Sequence, residues 1–434
     1  MNNPWEKRLD PSRPKRHLKT LHTPLGERTV YDSIAFCNRC GCCSQSCPSY
    51  RLTGEEAFSA RGRNQLARLI LEEKISLKQN PALVYQAVSS CMFCGQCTAA
   101  CAGKIPTAEH MLELRRALDL KLLPGLLQTI LTWRETAPNR FRRWVRFANF
   151  WRNLGLVKTA RFLQLTRLPF LRWVNHADDI LPKRITPFEK QLKKSGFSAP
   201  EQPEVIYLPS LEADYLNPQI GTDSFKLLSK KKAAVWHNQS AGLFSYVYGD
   251  LRQSRKTACK LLTRYAKTGN GKLPLVTDSA EVFTFLAKYP QLLANNGFWQ
   301  KRAQTLVKNL RFIAEYFPKK LPAQTTFGRV KLEHANLFDC ETPLTEKVTK
   351  ILKTHFKKNF VQYSYNELAA PPSGYGFANP VTAGAVLFAK VQDTARTQTG
   401  TVFFLSGLSA MELDFYLKKY YPGAQAEHFT RLNG

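Results

Sequence analysis

The 434-residue chain has no run of the roughly 18–20 apolar residues that a membrane-spanning helix needs. Its nearest approach, "LLPGLLQTILTW", is interrupted by Pro124 and Gly125 and stops at Arg134. The N-terminal stretch "MNNPWEKRLDPSRPKRHLKTLH" is polar and basic and lacks the apolar centre of a secretory signal. These absences predict a cytoplasmic protein, in a compartment where thiols stay reduced. Neither a Walker loop nor a dinucleotide glycine fingerprint occurs, so ATP, NAD and flavin have no standard site. The histidines form no spaced metal cluster, and His237 and His334 are expected to make local hydrogen bonds. Acidic residues are missing altogether between Glu135 and Asp178, where nine basic ones stand. The formal charge of +30 attracts polyanions, anionic membrane or acidic proteins. With no recognised DNA or RNA motif beside it, the charge supports only non-specific binding, and nucleic acid is not the expected partner.

What the chain does have is cysteine in a pattern. Nine of its eleven cysteines fall between positions 37 and 101. "CNRCGCCSQSCP" reads Cys37-x2-Cys40-x2-Cys43-x3-Cys47-Pro48, and "CMFCGQCTAACAGKIP" reads Cys91-x2-Cys94-x2-Cys97-x3-Cys101. This is the bacterial [4Fe–4S] spacing, in which a short turning loop aims three thiolates at one cube. The fourth cysteine is turned away and, in two-cluster proteins, serves the other cube. Cys37, Cys40, Cys43 and Cys101 are therefore assigned to one cluster, and Cys91, Cys94, Cys97 and Cys47 to the other. Cys42 falls outside the spacing and is expected to be a bystander facing the loop's own packing. Paired C-x2-C elements also build zinc sites, but the repeated x2-x2-x3 rhythm favours iron–sulfur. The second motif departs from the first at Ala102, its proline coming only at Pro106.

Between the motifs, Leu66, Leu69 and Ile70 recur at helical spacing, which predicts a long helix and a helical ferredoxin module. Arg61 and Arg63 are expected either to offset cluster charge or to fix the start of that helix. Residues 37–70 together with "CMFCGQCTAAC" resemble the iron–sulfur subunit of glycolate oxidase. They also resemble the subunits of heterodisulfide reductase and anaerobic glycerol-3-phosphate dehydrogenase. The resemblance implies two further cysteine-rich modules, each with a Cys-Cys-Gly motif. Two segments of about 110 residues follow that order, strand-led with a glycine turn midway, as an internal repeat. Their cysteines are gone: Ser240-Ala241-Gly242 and Pro372-Ser373-Gly374 occupy the motif positions. The flanking single cysteines are expected to be replaced near Ser210, Ser279, Leu337 and Leu408. Thiolate chemistry cannot proceed there, so the modules are read as scaffolds. Cys259 reads as a small buried hydrophobe, and Cys340 as a lone thiol with no ligand role.

In "NRFRRWVRFANFWRNLGL", Trp144, Phe147 and Trp151 share one helix face, and Arg142, Arg146 and Asn153 fall elsewhere. Such a helix suits the interface of an anionic membrane, or a packed linker. The expected fold is α+β and multidomain. A basic arm (1–30) leads into a helical ferredoxin domain (31–115), then a basic helical linker (116–200) and two α/β modules (201–320 and 321–434). The resemblance implies an electron-transfer component, with no catalytic site of its own, carrying electrons through two [4Fe–4S] clusters. Its donor would be a flavoprotein oxidising a 2-hydroxy acid such as glycolate or lactate, and its acceptor a quinone or another carrier. Peripheral contact with the inner face of the membrane, or with a membrane protein, is expected. The competing reading is a non-catalytic redox-sensing or docking protein with structural clusters.

Overall fold

The computed structural model describes residues 30–433 apart from 73, 76–80, 118–122, 124, 169–170, 183–184, 319–326, 334–342 and 363–366. Most of the basic arm, and His334, Leu337 and Cys340, lie outside the described residues. The chain is mostly helical, with two small parallel sheets.

The cysteine motifs sit on short helices and turns, supported by the helices Ala60–Leu71, Pro81–Ser89 and Thr107–Ala117. The first of these begins where Ser59 Oγ accepts the Gly62 N–H at 2.8 Å. Such a cap is worth about 1 kcal/mol. Leu66 and Ala67 on its inner side are buried with Val84, Ala87 and Met111. Leu69 and Ile70 are only half-buried.

Strands β1 (Val205–Leu208), β2 (Ala233–Val235), β3 (Leu275–Thr277) and β4 (Leu310–Phe312) form one sheet, in the order β2-β1-β3-β4. Strands β5 (Val330–Leu332), β6 (Phe360–Val361), β7 (Thr401–Phe404) and β8 (Gln425–His428) form the other, in the order β6-β5-β7-β8. Every pairing is parallel. β1 and β7 are buried along their whole length, as parallel strands covered on two faces must be. The two sheets thus have matching strand order. After the second strand of each, a glycine at positive φ (Gly242, 91°; Gly374, 78°) opens a short helix. A 17-residue helix follows in each case, Leu251–Lys267 and Pro380–Arg396.

One expected equivalence shifts. Ser279 is the N-cap residue two places beyond β3, and Ser406 holds the same place beyond β7. Leu408 lies instead within the first turn of the Gly407–Tyr420 helix. The strand ends, which set the register, are not marked by composition in "VFFLSGLSA".

The modules do not have separate cores. Tyr207, Val276 and Phe312 of the first sheet are buried in one cluster with Val330, Leu332 and Phe403 of the second. Phe312 stacks on Phe429 at 5.4 Å, and the Ala280 N–H donates to the Leu405 carbonyl at 3.0 Å. On its other side, the first sheet shares a core with the ferredoxin helices through Ile206, Leu208 and Leu275. The second half also reaches that part of the chain directly, Tyr375 Oη donating to the Ser89 carbonyl at 3.2 Å.

The basic bridge is built of the helices Gly125–Thr136, Pro138–Asn153, Leu156–Phe162 and Arg172–Ile180. Phe141 and Val145 are buried against Ile130 and Tyr215, and Trp144 packs into that contact. The expected aromatic face is therefore divided. Trp144 turns inward, whereas Phe147 and Trp151 are exposed beside Phe150, forming edge-on ring contacts at 5.9 and 5.6 Å. The arginines find acids just beyond the acid-free stretch: Arg152 pairs with Asp178 at 2.5 Å and Arg142 with Glu189 at 3.1 Å. Among the described residues no helix is long and apolar enough to cross a membrane.

Candidate iron–sulfur site

The two cysteine motifs share one unusual backbone path. In the first, Arg39 (φ 57°) and Gly41 (φ 85°) are left-handed; in the second, Phe93 (φ 54°) and Gly95 (φ 75°) are. A side-chain-bearing residue there costs roughly 1–2 kcal/mol, and such strain gathers where a ligand is clamped. Glycine after the second cysteine makes the next left-handed step without a Cβ penalty. Each loop then enters a short helix carrying its third cysteine, Cys42–Ser46 or Gln96–Ala99.

Cys91, Cys94 and Cys97 of the second motif line one enclosed space, and Cys47 of the first lines it with them. Cys47 reaches there as the residue that caps Pro48–Thr53, with Pro48 starting that helix. On the other side, burial pushes the Cys43 thiol up to about 11, and the adjacent Cys37 and Cys101 thiolates add to it. Cys47 therefore lies among the thiols of the second motif, and Cys101 is near enough to Cys43 to act on its charge. Cys40 is exposed at the rim, where the Cys42 backbone N–H and thiol hold its pKa below the ordinary value. Cys42 is itself exposed rather than packed within the loop, because the Cys42–Ser46 helix turns its first residue outward.

The donor set suits a cluster. A zinc site needs four ligands around one centre; a four-iron cube spreads its thiolates over its corners. The two sides differ in access. Cys47, Cys91 and Cys94 are buried and Cys97 half-buried, whereas Cys37, Cys43 and Cys101 are half-buried and Cys40 exposed.

The two arginines separate in role. Arg63, 1% exposed, donates to Cys47 Sγ (3.3 Å), Ser49 Oγ (2.8 Å), Ser90 Oγ (2.8 Å) and the Ala87 carbonyl (2.7 Å). Burial raises the Cys47 pKa, but the Arg63 charge and the hydrogen bonds of Ser49, Tyr50 and Arg63 outweigh it and leave the thiol below its usual range. Arg61 is a surface residue paired with Glu56 at 2.7 Å.

The serines at the positions expected to replace cysteines take part in hydrogen bonds. The Ser210 N–H donates to Asp278 Oδ1 at 2.9 Å, Ser240 Oγ to Glu135 Oε1 at 3.4 Å, and the Ser373 N–H to Glu281 Oε1 at 2.9 Å. Ser279 Oγ accepts from the Val282 N–H at 3.5 Å. These serines line a single cavity of about 660 Å³ beneath the bridge helices. Glu281, Glu212 and Arg115 also line it and were not singled out in the sequence. The one available signal was an acid in the otherwise apolar helix "AEVFTFLA". His237 Nδ1 bonds Asp214 Oδ1 at 2.9 Å, and Cys259 packs half-buried on the core.

Residues 33–105 match the family described as a 4Fe-4S dicluster domain. This match supports at least one [4Fe–4S] cluster. Over 319 residues the chain is 21% identical to the probable glycolate oxidase iron-sulfur subunit of Bacillus subtilis (strain 168), covering 68% of each chain. Over 90 residues it is 30% identical to lactate utilization protein B of Exiguobacterium sp. and 31% identical to that of Macrococcus caseolyticus. Those matches cover 21% of this chain and 18% of each relative. No solved structure matches. The chain thus carries a 4Fe-4S dicluster domain and is similar to an iron-sulfur subunit of glycolate oxidase and to lactate utilization protein B, consistent with the resemblance of its cysteine motifs.

Proposed function

We propose that this chain is the electron-transfer component of a glycolate-oxidase-type complex and holds two [4Fe–4S] clusters. Cys37, Cys40, Cys43 and Cys101 ligate one; Cys91, Cys94, Cys97 and Cys47 ligate the other. When bound, the clusters accept and release single electrons. The observation that carries the reading is the crossed arrangement, Cys47 among the second motif's thiols and Cys101 near enough to Cys43 to act on its charge. The surface site around Cys40 faces a flavoprotein that oxidises a 2-hydroxy acid, and the buried site passes electrons inward to a quinone or another acceptor. The two sheet modules, without thiolates, form the scaffold. Anaerobic purification should recover a flavoprotein with the chain, and the flavoprotein's substrate should reduce both clusters. Clusters that stay oxidised under these conditions would favour a docking protein with structural clusters.

The complex sits in the cytoplasm at the inner face of the membrane. Phe147, Phe150, Leu154, Leu156 and Phe162 are exposed on the bridge beside the exposed Arg143, Arg146 and Lys158. That pairing fits an interfacial surface on anionic lipid. The protein should float with anionic but not neutral vesicles, and salt should weaken binding, since exposed charges are screened over about 10 Å at 0.1 M. Phe150→Ser with Phe162→Ser should reduce flotation. Equal flotation with either lipid, or none, would return the bridge to a packed linker.

A further inference from the structure

We propose that the cavity between the bridge helices and the two sheets is a quinone-binding site, with the carbonyl head at the Phe93–Arg115 end and the apolar tail toward Phe147 and Leu156. The inference rests on the electron-transfer reading above and gives its acceptor a place.

At about 660 Å³ the cavity is the size of a cofactor site. Its body is apolar, formed by side chains such as Leu127, Ile130, Phe141, Trp144 and Trp173. Phe93 lines both this cavity and the space enclosed by Cys47, Cys91, Cys94 and Cys97, so the two spaces meet at that residue. A redox-active occupant would gain from that proximity; a structural lipid would not.

The head is selected by polar groups of the cavity wall. Arg115 is 3% exposed, stacks on the Phe93 ring at 4.2 Å and lines the cavity, yet its Nε–H has no acceptor among the described residues. A buried donor of this kind calls for an oxygen from the ligand. A carboxylate or phosphate would also meet the buried Glu212 on the cavity wall, whereas a neutral carbonyl would not be repelled. Burial, with the charge of Glu212, pushes Glu281 up to about 8, so at neutral pH it carries its proton and can donate to a second carbonyl. At the other end the lining residues Leu126, Phe147, Trp151 and Leu156 are exposed. Two of them, Phe147 and Leu156, lie on the apolar surface proposed to meet lipid, so an isoprenoid tail can leave the cavity onto that surface.

Full-length protein purified anaerobically should be titrated with decylubiquinone and with menadione. Binding is read from quenching of tryptophan fluorescence and from equilibrium dialysis, and an organic extract of the protein is examined by mass spectrometry. Saturable binding of one quinone per chain is expected. Ala148→Trp, which fills the cavity from the half-buried side of the bridge, should weaken binding roughly tenfold or more with the iron content unchanged. Arg115→Gln should weaken it similarly. Absence of saturable binding, undiminished binding by Ala148→Trp, or a stoichiometric fatty acid or phospholipid in the extract would overturn the assignment. Failure of binding with the iron complement intact would leave the electron relay standing. Binding by a protein that holds no iron would support the cavity site and remove the relay.

Discussion

Serine at both Cys47 and Cys91 should leave about half the parental iron, whereas serine at both Cys101 and Cys91 should disturb both clusters. The expectation follows from which thiols share a space. Cys47 lines one with Cys91, Cys94 and Cys97, so the first pair of changes strikes one cluster twice. Cys101 is near enough to Cys43 to act on its charge and is assigned to the first motif's cluster, so the second pair strikes each cluster once. If each motif instead ligated its own cluster, the results would exchange: Cys47 with Cys91 would damage both, and Cys101 with Cys91 only one. Iron analysis and paramagnetic resonance of the reduced variants separate the schemes. Cys42→Ser should keep the full complement, and Cys40→Ser should degrade one cluster. Equal loss in these two would mean that Cys42 is a ligand.

The second large effect is expected at Arg63. Its guanidinium is buried and meets a cysteine sulfur, two hydroxyls and a carbonyl, so Arg63→Met leaves those groups unpaired. Removing one member of a buried charged network costs about 3–5 kcal/mol. The positive charge beside Cys47 also favours the reduced state of a cluster held there, so its loss should lower that cluster's reduction potential. Arg63→Lys keeps the charge but cannot span four partners. It should recover much of the potential while remaining less stable. Thermal denaturation with a potentiometric resonance titration checks both. An unchanged midpoint together with an unchanged potential in Arg63→Met would show that the residue is a spectator.

The cysteine spacing was legible because cluster chemistry fixes distances along a short loop, and the turn at Cys47–Pro48 marked the fourth thiol as outward-facing. The α+β class and the glycines Gly242 and Gly374 were legible too, since strand pattern and turn residue are local. Features set by tertiary packing were not. Helical periodicity grouped Trp144 with Phe147 and Trp151, but the contact of Phe141 and Val145 with Ile130 and Tyr215 turned Trp144 inward. The end of β7 puts Ser406, two residues before Leu408, in the place that Ser279 holds beyond β3. Nothing local announces that both modules share one core, or that Glu281, Arg115 and the serines expected to replace cysteines meet at one cavity. Those residues are brought together from across more than 250 positions of sequence.

The most direct test is the iron and acid-labile sulfide content of the anaerobically purified full-length protein. Two complete cysteine quartets predict about eight of each per chain. A value near four, or zinc in place of iron, would contradict the two-cluster electron relay.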